Sequence, residues 1–248
     1  MIHVDIRKPL SSLCFFLLLC IVTGCESPTP QPLSADEILS SAVERTRGLK
    51  SFHFVIDCEG AFAYLTEDRS LAFGRAEGNF YTPDQVRATI RIISPGMITE
   101  MSMVALGDEY WETDLLSGEW RKLPSAGFNP ATLLAPQSGF QEILLNDVSN
   151  LRFEGLQELP ELPGQNLYTL SGMLGGDGLY SLSYGLIGPQ PMAIRMWVDP
   201  QTFDVFRVQL DEPATSAETG PQGETTTIWQ VDFWDFDQIT PITPPPEN

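Results

Sequence analysis

Histidine, cysteine and basic residues are all scarce in this 248-residue chain: two histidines, four cysteines, and 14 lysines and arginines against 33 aspartates and glutamates. Each scarcity excludes something. With a formal net charge of −19 and no Lys/Arg cluster, the surface repels phosphate backbones, so nucleic acid is excluded as a partner. Beyond Cys25 only one histidine, His53, and one cysteine, Cys58, remain. They lie five apart in a segment of alternating polarity, face opposite sides of a strand, and so form no local dyad. One imidazole and one thiol do not build a zinc cluster, and a single spare thiol leaves no internal disulfide framework. The chain also lacks a phosphate loop, a GxGxxG turn and a GxSxG elbow. Carboxylates are numerous enough to offer many glycosidase-like pairs, but spacing alone identifies none, and a solvated acidic surface accounts for them. No catalytic residue, metal or cofactor is assigned, and the chain is not read as an enzyme.

What is present begins at the N-terminus. Arg7 and Lys8 precede an uncharged run over 10–22, and Val22-Thr23-Gly24-Cys25 follows. A basic patch, a short apolar run and small residues are the parts of a secretory signal, and 13 residues fall short of the roughly 20 that span a bilayer. The last four residues resemble the bacterial lipobox. That resemblance implies cleavage before Cys25, diacylglycerol on its thiol, and a mature protein outside the cytoplasm, anchored to a membrane through Cys25. Removal of 1–24 takes Asp5, Arg7 and Lys8 with it and leaves 12 basic against 32 acidic residues. So acidic a surface offers no polybasic grip on anionic lipid, which leaves attachment to the acyl chains.

Residues 25–33 carry Pro28, Pro30 and Pro32, an extended tether. Ser34-Ala35-Asp36-Glu37 reads as a capping box, and Ile38, Leu39, Ala42, Val43 and Thr46 form one stripe of a helix that Gly48 is placed to end. From Ser51 the period switches to two. Strands are expected over 51–59, 71–80, 86–94, 98–106, 109–113, 151–155, 167–174, 193–198, 205–211 and 225–233, separated by turn chemistry such as Ser94-Pro95-Gly96 and Asp199-Pro200. Short helices fit 129–134 and 139–146. The stretch 212–224 reads as a long exposed loop and 241–248 as a disordered proline-rich tail. The expected division is a signal over 1–24, a tether over 25–33, one domain over 34–240 and the tail.

Several segments, taken in order, carry a further resemblance. After the lipobox and tether come Ala35-Asp36-Glu37-Ile38-Leu39 and Leu49-Lys50-Ser51-Phe52-His53-Phe54, then Gly118-Glu119-Trp120-Arg121-Lys122-Leu123-Pro124. Phe128-Asn129-Pro130-Ala131-Thr132-Leu133-Leu134, Gly139-Phe140-Gln141-Glu142-Ile143-Leu144-Leu145, Asn166-Leu167-Tyr168-Thr169-Leu170-Ser171-Gly172 and Met196-Trp197-Val198-Asp199-Pro200-Gln201-Thr202 follow. In order and spacing these resemble the LppX/LprG-type lipid-carrying bacterial lipoproteins, over about 34–235. The resemblance implies an α+β fold similar to LolA and LolB: a curved antiparallel half-barrel with helices packed on its concave face and a lipid cavity between.

The residues themselves present bulky apolar groups on one face of several strands: Phe54 and Ile56, then Val86, Ala88, Ile90 and Ile92, then Met101 and Met103, then Trp229. Periodicity does not separate a filled core from a cavity wall. A wide sheet with little helix to cover it leaves room for a pocket, and with the resemblance Phe54, Ile56, Ala88, Ile90, Ile92, Met101, Met103 and Trp229 become the cavity candidates. The reading is a monomeric, anchored envelope lipoprotein that binds, shields or transports an acylated lipid or lipoglycan. The alternative is a non-enzymatic glycan- or partner-sensing module on the same fold.

Overall fold

The computed structural model describes residues 33–124, 131–135, 139–213 and 223–246. The lipobox, Cys25 and the tether prolines lie outside these residues, as does most of the 212–224 stretch. The buried hydrophobic core runs from Ile38 to Trp229, within the compact unit Ser34–Asn248.

Helix α1 (Ala35–Gly48) starts as its sequence dictates: the Ser34 hydroxyl accepts the Glu37 backbone N–H, and the Glu37 carboxylate accepts the Ser34 N–H at 2.8 Å. Its stripe of Ile38, Leu39, Ala42 and Val43 is buried, each of the larger three worth roughly 1.5–3 kcal/mol of desolvation. The end differs from expectation. Gly48 does not enter the left-handed region; the helix stops at Leu49, which is extended and 4% exposed. Seating that side chain pulls the backbone straight into the first strand, so no left-handed cap is required.

That strand, β1 (Ser51–Gly60), is central. The following strands β2 (Ala63–Tyr64), β3 (Ala72–Tyr81), β4 (Gln85–Ser94), β5 (Met97–Leu106), β6 (Glu109–Thr113) and β7 (Trp120–Leu123) run outward on one side of it. After α2 (Ala131–Leu134) and α3 (Phe140–Asp147), β8 (Val148–Glu158) begins the far edge. β9 (Asn166–Leu174), α4 (Gly176–Leu182), β10 (Met192–Val198), β11 (Val205–Pro213) and β12 (Thr226–Trp234) then step back until β12 pairs with β1. The order is β7-β6-β5-β4-β3-β1-β12-β11-β10-β9-β8, antiparallel throughout, with β2 on β3. The sheet is not closed: β7 and β8 are its two edges. Register shifts between Phe73 and Arg75, between Trp197 and Val198, and twice in β8 mark bulges, which bend a sheet.

Two expectations are corrected. β8 is twice as long as the reading over 151–155, because an edge strand exposed on both faces shows no alternation to mark its ends. The tail is not disordered over 241–246. The Ile239 N–H donates to the Ser51 hydroxyl, the Ile242 N–H to the Gln85 side chain, and Arg87 to the Thr243 carbonyl. Pro245 is buried there. Proline supplies no N–H, but its neighbours' N–H groups and carbonyls are enough to hold the path.

Candidate functional site

Alternation sends every second side chain of β1, β3 and β4 to the concave side. There Phe52, Phe54 and Ile56 meet Ala76, Val86, Ala88 and Ile90 across the strand pairs. Small residues make space at this crossing. Gly78 stands opposite both Phe54 and Ala88, and a Cβ on it would come 2.2 Å from the Arg87 carbonyl oxygen. From the other half of the sheet come Met196, Val208, Leu210, Trp229 and Val231. Aromatic contacts stiffen the wall: Phe52 stacks on Phe80 at 5.0 Å, meets Phe233 edge-on at 5.5 Å, and Phe73 lies 5.5 Å from Trp229.

The helices supply the opposite wall. Leu39, Ala42, Val43 and Thr46 of α1, Leu134 of α2, Phe140, Gln141 and Leu144 of α3, and Leu179 of α4 face this wall. An ion pair between Arg47 of α1 and Glu142 of α3 ties two of these helices together. Between sheet and helices is a cavity of about 190 Å³. That volume exceeds an apolar cavity of about 150 Å³ that holds a benzene ring and falls below the roughly 300–1,000 Å³ of sites that bury a whole drug-sized molecule.

Polar groups are few in the lining, and most already have partners. Thr46 Oγ1 donates to the Ala42 carbonyl at 2.8 Å, and Ser183 Oγ accepts the Ile187 N–H at 3.0 Å. Trp229 Nε1 donates to Glu212 at 2.7 Å, and the same carboxylate accepts the Gly188 N–H at 2.6 Å. Gln141 is 6% exposed, and its Oε1 makes no hydrogen bond.

Six of the eight sequence candidates line this cavity: Phe54, Ile56, Ala88, Ile90, Met103 and Trp229. Ile92 and Met101 do not. Ile92 is buried one pleat nearer the β4–β5 turn, level with Phe73 and Thr99. Met101 pairs with Ile90 from β5, two residues before Met103, the β5 residue that does line the cavity. The sequence reading missed Met196, Val208 and Leu210, whose alternation was visible, and Gln141, a polar residue on an apolar helix face.

His53 sits on the convex side, its Nδ1 2.7 Å from Asn79 Oδ1 and its ring 4.4 Å from Trp234. Cys58 is half-buried, and burial pushes its thiol up to about 12, which leaves it protonated and a poor nucleophile at neutral pH. Among the described residues no three His, Cys, Asp or Glu side chains converge as a metal site, and no helix is long and apolar enough to cross a membrane.

An open antiparallel half-barrel roofed by helices over an apolar cavity defines the class of structure. The LppX_LprAFG lipoprotein family model matches residues 34–240, and the chain belongs to that family. Among solved structures, LprF from Mycobacterium bovis is similar at a TM-score of 0.61 and 14% identity, covering 86% of this chain and 96% of its own. The Mycobacterium tuberculosis lipoprotein LppX is similar at a TM-score of 0.58 and 14% identity, covering 84% and 98%. These likenesses show the fold. No curated protein sequence matches the chain.

Proposed function

We propose that this protein is a lipid carrier of the bacterial cell envelope, anchored by an acylated Cys25 and holding the hydrocarbon of a lipid in the cavity between sheet and helices. One observation carries the reading: a continuous, largely hydrocarbon wall from four helices and seven strands encloses space where packing would otherwise be complete. Acyl chains transferred there from water gain about 25 cal/mol per Å² of apolar area buried. A cavity of about 190 Å³ holds part of a chain. Full loading therefore moves the helices away from the sheet, with the polar headgroup remaining at the mouth. A sugar cleft needs converging unspent polar groups, whereas the three polar side chains in the lining, Thr46, Gln141 and Ser183, include two already bonded within their own segments. That contrast favours lipid over the glycan-sensing alternative.

Native mass spectrometry of the soluble chain beginning at Ser34, followed by organic extraction, is the direct test. Adduct masses that vanish on extraction and reappear as acylated lipid are expected; a protein that never carries lipid when expressed in a lipid-rich envelope rejects the carrier reading. Anchoring is tested separately. Cys25→Ser removes the thiol that accepts the lipid, so the full chain should accumulate unprocessed or leave the membrane fraction, and normal processing with detergent partitioning would reject the anchor.

A further inference from the structure

We infer that Gln141 is a selector inside the cavity, and that its ligand is an acyl lipid with a hydrogen-bond donor, a hydroxyl or an amide N–H, close to its hydrocarbon chain. This rests on the carrier reading above and adds the chemistry that the cavity prefers.

Phe140, Gln141 and Leu144 share one face of α3, and all three line the cavity. The residue between them, Glu142, turns away to pair with Arg47 of α1, which pins the first turn of α3 so that Gln141 is directed inward. An apolar residue is what the helical pattern calls for at that position. Gln141 instead brings a carboxamide into hydrocarbon, nine-tenths buried, with Oε1 unpartnered. Buried polar groups are nearly always satisfied, and one that is not marks a site where the fold has accepted a cost. The other polar atoms around the cavity are spent: Thr46 on Ala42, Ser183 on Ile187 and Trp229 on Glu212. Gln141 Oε1 is thus an acceptor waiting in apolar surroundings. A ligand with a donor at that depth satisfies it. A ligand of the same shape without one leaves it bare, and that asymmetry is the basis of strong discrimination by buried polar groups.

The test uses two probes of matched chain, 1-octanol and octyl methyl ether, titrated by calorimetry into the soluble unit from Ser34. The alcohol has a donor; the ether has an acceptor alone and is the more apolar. The parent should favour the alcohol by about tenfold, the size of one net hydrogen bond. Gln141→Met and Gln141→Leu should bring the two probes within about twofold of each other, with ether affinity undiminished, and neither variant should melt below the parent. A parent that binds both probes equally, or prefers the ether, overturns the inference while leaving the carrier reading standing. So does an alcohol preference that survives both substitutions. Failure of both variants to fold would make Gln141 structural and overturn it equally. If neither probe binds the parent, the carrier reading itself falls and takes the inference with it.

Discussion

On β4, Val86, Ala88 and Ile90 face the cavity, while Arg87, Thr89 and Arg91, interleaved with them, face water. The same division runs along β1 and β3, where Phe54 and Ile56 alternate with His53 and Asp57, and Ala76 and Gly78 with Arg75 and Glu77. The two faces are built by different physics. Concave residues remove hydrocarbon from water and are spaced by small side chains that keep the packing incomplete. Convex residues form cross-strand charge pairs: Asp57 with Arg75 at 2.5 Å and Arg91 with Glu100 at 3.6 Å. Exposed pairs of this kind contribute about 0–1 kcal/mol each, so they serve register and solubility more than stability. The concave face therefore decides both whether the domain folds and what it can hold.

The largest effect comes from forcing one face to behave as the other. Val86→Asp places a carboxylate at a position that is 0% exposed, and the expected loss is about 3–5 kcal/mol, as for other uncompensated buried charges. Thr89→Asn, three residues on and facing water, should change stability by less than about 0.5 kcal/mol. Equal shifts in urea midpoint for the two variants would break the comparison.

Trp229 sharpens it, being the concave residue with a polar tip. Trp229→Phe keeps the ring in the wall but deprives Glu212 of its Nε1 donor, and the expected loss is about 1–3 kcal/mol. An unchanged thermal midpoint would mean that solvent replaces that bond freely.

Asp237 belongs to neither face and ties the α1–β1 junction to the C-terminal segment. Burial would raise its pKa, but the hydrogen bonds from the Lys50 N–H and from Arg45, with the Arg45 charge, outweigh it, and the carboxyl is held below its ordinary 3.8. A depressed folded value means stability that is present above about pH 4 and lost as pH falls through the folded value. Acid titration followed by circular dichroism should therefore show a steeper loss below pH 4 in the parent than in Asp237→Asn.

The smallest change in stability is expected at Ile90, where the cavity should absorb added volume. Ile90→Trp in a filled core would cost about 1–3 kcal/mol. Into ligand space it should cost well under that while lowering extractable lipid, and a large destabilisation with lipid content unaltered would remove Ile90 from the cavity wall.

Legibility followed the strength of local signals. Helix α1 and its capping box, and the strands β1 and β3 to β6, were readable because caps act within four residues and a half-buried strand alternates with period two. Helix α4 was not: Gly-Asp-Gly-Leu-Tyr-Ser-Leu has poor intrinsic helicity, and packing stabilises it, with Leu179 2% exposed. Ile92 and Met101 were assigned to the cavity because they share a face with Ile90; a face is a property of the strand, whereas the end of a cavity depends on where helices from elsewhere in the chain come to rest. The 241–246 segment looked unstructured for a related reason, since its partners Gln85 and Arg87 lie more than 150 residues away.

By itself, then, the sequence determined the capping box that opens α1 and which side chains of each strand share a face, because these depend on near neighbours. Only the tertiary structure decided that one face closes around a cavity, that Gln141 Oε1 turns into it without a partner, and that the tail is held to β4. Those outcomes depend on contacts between distant segments, and no local pattern encodes the distance at which a helix settles over a sheet.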